Sequence, residues 1–321
     1  MNKVETSIII PVYNSEKNLA NLIQDLLLNL RKKKNIFEII LVDDNSEDNS
    51  WDIVKDFCLK NTFIKGVQLR KNVGQHNAIF AGLKHACGEY IVTMDDDGQN
   101  SPNDIEKLID KVKSGSDVSY ANYKIKNHDL FRRFGSFLNN IVASFLFNKP
   151  VNLILTSFRC LNQDIKKEIL KTKSSSIYID GIIFSITKNV SNVYVEHKKR
   201  EFGKSNYTLY KLVSLWLQMA TGFSILPLRI SSLLGFFFSI SSFFVTIWFI
   251  FFRTVPSHIP EGWTSLIVVV IFFGGIQLLA LGLIGEYLGR SYLTINNNIQ
   301  YSEKKVINIK EEDNKLKSES L

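Results

Sequence analysis

Cysteine is scarce in this chain of 321 residues: only Cys58, Cys87 and Cys160 are present. An odd number without Cys-x-x-Cys spacing argues against a disulfide framework and against a zinc site. It leaves the three as small core residues of a reducing compartment. A leader-like segment is also missing. The first apolar run, Ile8-Ile9-Ile10-Pro11-Val12, is short and carries a proline. No internal repeat or low-complexity block precedes the tail. Acidic residues are outnumbered, 31 Asp and Glu against 39 Lys and Arg, for a formal net charge of +8. Such a balance suits nucleic acid, anionic lipid or an anionic substrate. The hydrophobic C-terminal third turns the reading toward lipid and away from nucleic acid.

What is present is an alternation of apolar runs and amphipathic segments. Strands are predicted at residues 7–12, 38–44, 64–69, 90–94 and 118–120, with further strands at 157–161 and 193–198. Helices are predicted at 17–30, after the turn 45–50, at 75–86 and from Ser101-Pro102 to about Lys113. This order implies a doubly wound, mostly parallel sheet, in which ligands bind beyond the carboxyl ends of the strands. Pro11 to Asn14, Asp43-Asp44 and Asp95-Asp96-Asp97 all fall at such ends and are expected to share one crevice.

The acidic triplet is the centre of the reading. Strand alternation puts Asp95 and Asp97 on one side and Asp96 on the other. Asp95 and Asp97 are therefore expected to face a divalent cation, with Gln99 as an uncharged oxygen ligand. Hard oxygen ligands suit Mg²⁺ or Mn²⁺, which hold a diphosphate and make it a better leaving group. A solvated acidic turn is the plain alternative. Asp96 is assigned to the substrate. Asp43 is expected to bond a base or ribose, and Asp44 either a ligand or the cap of the next helix. The loop Asn72-Val73-Gly74-Gln75-His76 precedes a helix N-terminus suited to negative charge, which makes Gly74 a substrate contact and His76 structural.

Two long uncharged runs, Ile230 to Phe252 and Gly262 to Gly285, are each long enough to cross a bilayer core. Basic residues flank them on one side, Lys198 to Arg229 before and Arg290, Lys304 and Lys305 after. The connecting loop carries one Arg, so the N-terminal domain is expected in the cytoplasm. The apolar stripes at about 130–147 and 207–223 are expected to lie in the membrane interface. The basic segment from Lys198 to Tyr207 reads as a phosphate site, with Arg200, Lys204 and Ser205 as contacts and Arg132 and Arg133 as second contributors. A polybasic membrane patch is the competing reading.

Ser7 to Asn14, Leu41 to Ser46 and the triplet resemble family 2 glycosyltransferases with the GT-A fold. Asn72 to Gly82, Arg200 to Ser205 and Leu281 to Arg290 narrow the resemblance to the polyprenyl-phosphate glycosyltransferases. That group includes dolichol-phosphate mannose synthases and undecaprenyl-phosphate formamido-arabinose transferases. The resemblance covers about residues 5–300. It implies a GT-A domain with interface helices over 1–225, two transmembrane helices (about 230–252 and 264–285) within 226–290, and a cytoplasmic tail over 291–321. Within the tail, Ser302 to Leu321 is highly charged and reads as a solvated, largely disordered extension.

By the same resemblance Pro11, Tyr13, Glu16 and Asp43 border the nucleotide, and Asp95, Asp97 and Gln99 match the metal and diphosphate motif. Arg200 and Ser205 match the loop that handles donor and lipid phosphates, so Asp97 and Arg200 are expected to be catalytic. The expected activity is metal-dependent, inverting transfer from a nucleotide diphosphate sugar to a polyprenyl phosphate at the inner membrane. A UDP-sugar and undecaprenyl phosphate are the nearest parallels. Oligomeric state is open, a homotetramer being one option. Two departures stand out: Asn206 where many relatives have Lys, and Leu155-Thr156-Ser157 where relatives often carry an acid before the Phe158-Arg159 pair. A polysaccharide synthase is an alternative, but its Gln-x-x-Arg-Trp motif is missing. A non-catalytic nucleotide-sugar-binding subunit is the other.

Overall fold

Strand β1 (Thr6–Val12) is buried along its whole length. A continuous apolar run is what a strand covered on both faces requires. The computed structural model of the chain describes residues 4–30, 36–123, 153–172, 177–195, 226–252, 262–295 and 300–309. The chain divides into two compact units, residues 1–206 with 299–321, and residues 207–298.

The first unit is built on β1, β2 (Phe37–Asp43), β3 (Ile64–Leu69), β4 (Tyr90–Thr93), β5 (Val118–Tyr123), β6 (Arg159–Asn162), β7 (Val190–Val195) and β8 (Glu303–Ile307). They form one sheet in the order β7-β5-β6-β4-β1-β2-β3-β8. The pairs β1–β2, β1–β4, β2–β3 and β5–β7 are parallel, whereas β6 and β8 run antiparallel to their neighbours. The helices are α1 (Glu16–Leu30), α2 (Ser50–Lys60), α3 (Gln75–His85), α4 (Ile105–Lys113), α5 (Gln163–Leu170) and α6 (Ile179–Ile186). Helix α1 buries Leu19, Leu22, Ile23, Leu26, Leu27 and Leu30, the single stripe that its spacing predicts. Helix α3 reaches β1 closely because position 82 is glycine: a Cβ there would fall 2.5 Å from Ile9 Cγ2.

The topology fixes where a ligand can bind. From β1 the chain moves to β2 and β3 on one side, then returns to place β4 on the other side of β1. The carboxyl ends of β1 and β4 are thus a topological switch point, where neighbouring connections leave in opposite directions and open a crevice. Pro11 marks the parting. Ile9 accepts from Met94 N across to β4, and Val12 accepts from Asp44 N across to β2. The N–H that Pro11 lacks would therefore face β4, whose pairing with β1 ends at Thr93.

The charged C-terminal tail departs from the expectation of a solvated extension. Its residues 303–307 form β8 and close the β3 edge, with Gly66 opposite Ile307 and Leu69 opposite Glu303. An edge strand needs little apolar surface. Ile307 packs on the core while Lys304 and Lys305 stay exposed.

The second unit contains two long helices, α7 (Leu226–Phe252) and α8 (Trp263–Ile295). They meet through Phe238, whose ring lies edge-on to Phe272 at 6.1 Å and to Phe273 at 5.6 Å. Among the described residues the stretch long and apolar enough to cross a membrane is Phe272–Leu293, and Leu228–Phe238 is a shorter apolar segment. Helix α8 runs on through Glu286 and Arg290, ten residues past the predicted end at 285. The amphipathic segments expected at 130–147 and 207–223 lie outside the described residues.

Candidate active site

The acidic triplet follows β4 directly, and its three carboxylates have different surroundings. Asp95 is held by donors from two other elements. Gln75 Nε2, at the start of α3, donates to its Oδ1 at 2.6 Å, and Ser157 Oγ donates to its Oδ2. Burial raises its pKa; the Ser157 bond opposes this and the Asp97 charge adds to it. Asp97 accepts from the backbone N–H of Gln99 at 3.1 Å, within its own loop. Asp96 faces the other way, as strand alternation requires. Its Oδ2 accepts from Tyr13 N at 3.1 Å and from Ser15 Oγ. Burial pushes Asp96 up to about 6, with those two bonds opposing. Its carboxylate ties the β1–α1 loop to the β4 loop.

The donor set at this strand end is the two carboxylates of Asp95 and Asp97, with Gln99 following two residues after Asp97 in the same loop. It is a hard-oxygen set, and repulsion between Asp95 and Asp97 is what a divalent cation would relieve. The residues therefore fit Mg²⁺ or Mn²⁺. Among the described residues no three His, Cys, Asp or Glu side chains converge as a metal cage of their own.

The ends of β1 and β2 are cross-linked. Asn14 and Asn45 adopt left-handed conformations that turn the chain sharply there. Asn14 N donates to Ser46 Oγ at 3.0 Å and Glu47 N to Asn14 Oδ1 at 2.9 Å. Glu16 Oε2 accepts from Asn49 N at 3.2 Å and Asn49 Nδ2 at 3.1 Å, so its carboxylate braces the β2–α2 loop. Pro11 is buried in β1, and Tyr13 is exposed at the crevice, 46% accessible. Asp43 is fully buried, 0% accessible, with Ser46 N and Gln68 Nε2 each 3.3 Å from its carboxylate. Burial raises its pKa, and the bonds from Ser46 and Gln68 oppose the rise.

Gly74 is expected at the substrate, and Asp44 at a ligand or as a helix cap. The two meet one another. Val73 N donates to Asp44 Oδ1 and Gly74 N to Oδ2, each at 2.8 Å. Gly74 has φ of 86°, a conformation open to glycine that turns consecutive N–H groups toward one anion. The negative charge received before α3 is thus the protein's own.

Below the triplet lies a network that sequence reasoning missed. Arg159 on β6 is 1% accessible and pairs with Asp180 of α6, which also accepts from Tyr120 Oη at 2.7 Å. His76 packs edge-on against Tyr178 at 4.8 Å and accepts from Ile179 N at 3.4 Å. Burial holds it down to about 4, with Asp180 opposing and Arg159 adding to the shift. A single charge inside each of two apolar runs, Phe158 to Leu161 and Ile177 to Phe184, was the available signal. Arg132, Arg133, Arg200, Lys204 and Ser205 lie outside the described residues.

A crevice at the switch point with paired acids after β4 defines a GT-A-type α/β enzyme of mostly parallel sheet, and the comparisons agree. Glycosyl transferase family 2 matches residues 7–172, and the chain belongs to that family. It is similar over nearly its whole length to transferases named undecaprenyl-phosphate 4-deoxy-4-formamido-L-arabinose transferase. The one from Yersinia enterocolitica is 31% identical over 97% of this chain and 96% of its own. That from Proteus mirabilis is 29% identical over 97% and 95%. Among solved structures, glucosyl-3-phosphoglycerate synthase from Mycobacterium tuberculosis, in complex with Mn²⁺, UDP and phosphoglyceric acid, superposes with a TM-score of 0.51. It is 14% identical and covers 68% of this chain and 77% of its own.

Proposed function

We propose that this chain transfers a sugar, with inversion, from a nucleotide diphosphate sugar to a polyprenyl phosphate at the cytoplasmic face of the inner membrane. A UDP-sugar and undecaprenyl phosphate are the substrates that its relatives and fold neighbours favour. The observation that carries the reading is the pair Asp95 and Asp97 at the β1–β4 switch point, in a chain similar from end to end to undecaprenyl-phosphate transferases.

The acceptor phosphate is already an anion near neutral pH, so no general base is required. One of its oxygens forms the new bond to the anomeric carbon. The bond to the donor diphosphate breaks, and its electron pair leaves with the nucleoside diphosphate. Asp95, Asp97 and Gln99 would hold a Mg²⁺ or Mn²⁺, which would neutralise charge on that leaving group. Gln75 and Ser157 orient Asp95, and Asp96 fixes Tyr13 and Ser15 at the nucleotide side. Arg200, with Lys204, Ser205, Arg132 and Arg133, brings two mutually repelling anions together.

Helices α7 and α8 are proposed to cross the bilayer as a pair. Large side chains such as Leu233, Phe236, Phe237, Leu278, Leu281 and Leu288 are exposed along them, as lipid contact demands. Connectivity supports an even number of crossings, because the strands before and after them, β7 and β8, belong to one sheet. The test is purified protein with polyprenyl phosphate, Mn²⁺ and a panel of nucleotide sugars. Release of nucleoside diphosphate that depends on the lipid supports the reading, and release indifferent to the lipid overturns it.

A further inference from the structure

The connection from β3 to α3, residues 70–74, carries the two N–H groups that hold Asp44. It ends at Gln75, which donates to Asp95. Both elements joined by this connection touch the segment that follows α8. Next to the connection, Arg70 N donates to Ser302 O at 2.8 Å, and Leu69 is paired with Glu303 across a register shift. At the far, C-terminal end of α3, His85 Nε2 lies 2.9 Å from Glu303 Oε1. The Tyr301 ring meets Phe80 edge-on at 6.3 Å, and Lys84 Nζ stands 5.0 Å from its centroid. The far end of β8 is fastened separately. Asn308, at φ 61°, donates from Nδ2 to the carbonyls of Cys58, Asn61 and Ile64 at 2.7, 3.2 and 2.8 Å.

We propose that residues 301–303 are positioning residues for the β3–α3 connection, and through Gln75 for Asp95, so that donor binding depends on the chain that emerges from α8. An eighth strand needed only to cover an edge would pair with β3 alone. Here Glu303 of β8 also meets His85, and Tyr301 just before the strand meets Phe80 and Lys84, so residues 301–303 span the element pair that the connection joins. Releasing it removes a brace shared by the carboxyl end of β3 and the far half of α3, while the loop between them keeps its bonds to Asp44 and, through Gln75, to Asp95. The effect on the donor rests on the function proposed above; the effect on the loop does not.

The experiment uses the full chain in detergent or nanodiscs and compares wild type, Glu303→Ala and Asn308→Gly. Lys167→Ala, in an exposed pair on α5, is the control. Two readouts are taken: amide hydrogen exchange over residues 70–76, and affinity for UDP in the presence of Mn²⁺. Exchange at Val73 and Gly74 is expected to quicken about tenfold in Glu303→Ala and in the same direction in Asn308→Gly, with UDP binding about three- to tenfold weaker. Asn308→Gly keeps the left-handed backbone and acts from the other end of β8, so it decides the matter if Glu303→Ala does not fold. Unchanged exchange at residues 73 and 74 while residues 303–307 exchange faster overturns the proposal. If wild type itself does not bind UDP with Mn²⁺, the donor assignment falls and the exchange readout alone decides the positioning role.

Discussion

Asp44 Oδ2 accepts a 2.8 Å hydrogen bond from Gly74 N, joining the end of β2 to the start of α3 through a residue with φ of 86°. Removing the carboxylate leaves two N–H groups without their acceptor. Asp44→Ala is expected to lower stability by about 1–3 kcal/mol. Gly74→Ala is expected to cost about 1–3 kcal/mol, because φ of 86° with ψ of 159° is a backbone conformation essentially confined to glycine. Thermal or denaturant unfolding of the two single variants and the double variant checks this. Because both act on one contact, their effects should be less than additive.

The Arg159–Asp180 pair is buried, and Tyr120 shares the acceptor. Breaking such a pair leaves one charge uncompensated in a low-dielectric site. Asp180→Asn or Arg159→Met is expected to destabilise the sheet unit by roughly 3–5 kcal/mol. Replacing both residues together by apolar side chains is expected to restore part of that loss. Unfolding midpoints of the three variants measure it.

His76 gives a pH dependence with a definite sign. Its folded-state value, about 4, lies below its ordinary value of 6.5. As pH falls below about 6.5 the unfolded chain takes up a proton that the folded chain refuses, so this residue lowers stability progressively until about pH 4. The loss is at most about 3 kcal/mol, the full shift converted at 1.36 kcal/mol per unit. His76→Gln should flatten that part of the stability profile and leave the profile above pH 7 unchanged.

Asp97 is expected to matter for chemistry rather than for folding. Asp97→Ala should reduce transfer by on the order of 100-fold or more, while the protein still inserts in membranes and unfolds near the wild-type temperature. Chelation of divalent ions should abolish transfer in wild type, and added Mn²⁺ or Mg²⁺ should restore it. Wild-type turnover in purified Asp97→Ala would remove this residue from the metal site.

The parallel part of the sheet was legible because buried strands such as Ile8 to Val12 and Ile39 to Val42 are short apolar runs bounded by turn residues. The separation of Asp96 from Asp95 and Asp97 followed from strand alternation. Other features had no local signal. Strand β8 is mostly charged, and it pairs with residues more than two hundred positions earlier, so periodicity does not mark it. A carboxylate at a strand end reads the same whether it meets a ligand or its own backbone, so nothing local marks the bonds that join Asp44 to Val73 and Gly74. Ser157 has no local signal either: β6 beside β4 is what brings its hydroxyl to Asp95.

The central claim is that a sugar leaves a nucleotide and arrives on a lipid phosphate. Membranes containing the chain, supplied with a panel of radiolabelled nucleotide sugars and extracted with organic solvent, test it most directly. The account predicts label in an extractable, acid-labile glycolipid for at least one donor, present with wild type and lost with Asp97→Ala. Label confined to a non-extractable polymer, or an extractable product made equally well by Asp97→Ala, would contradict it.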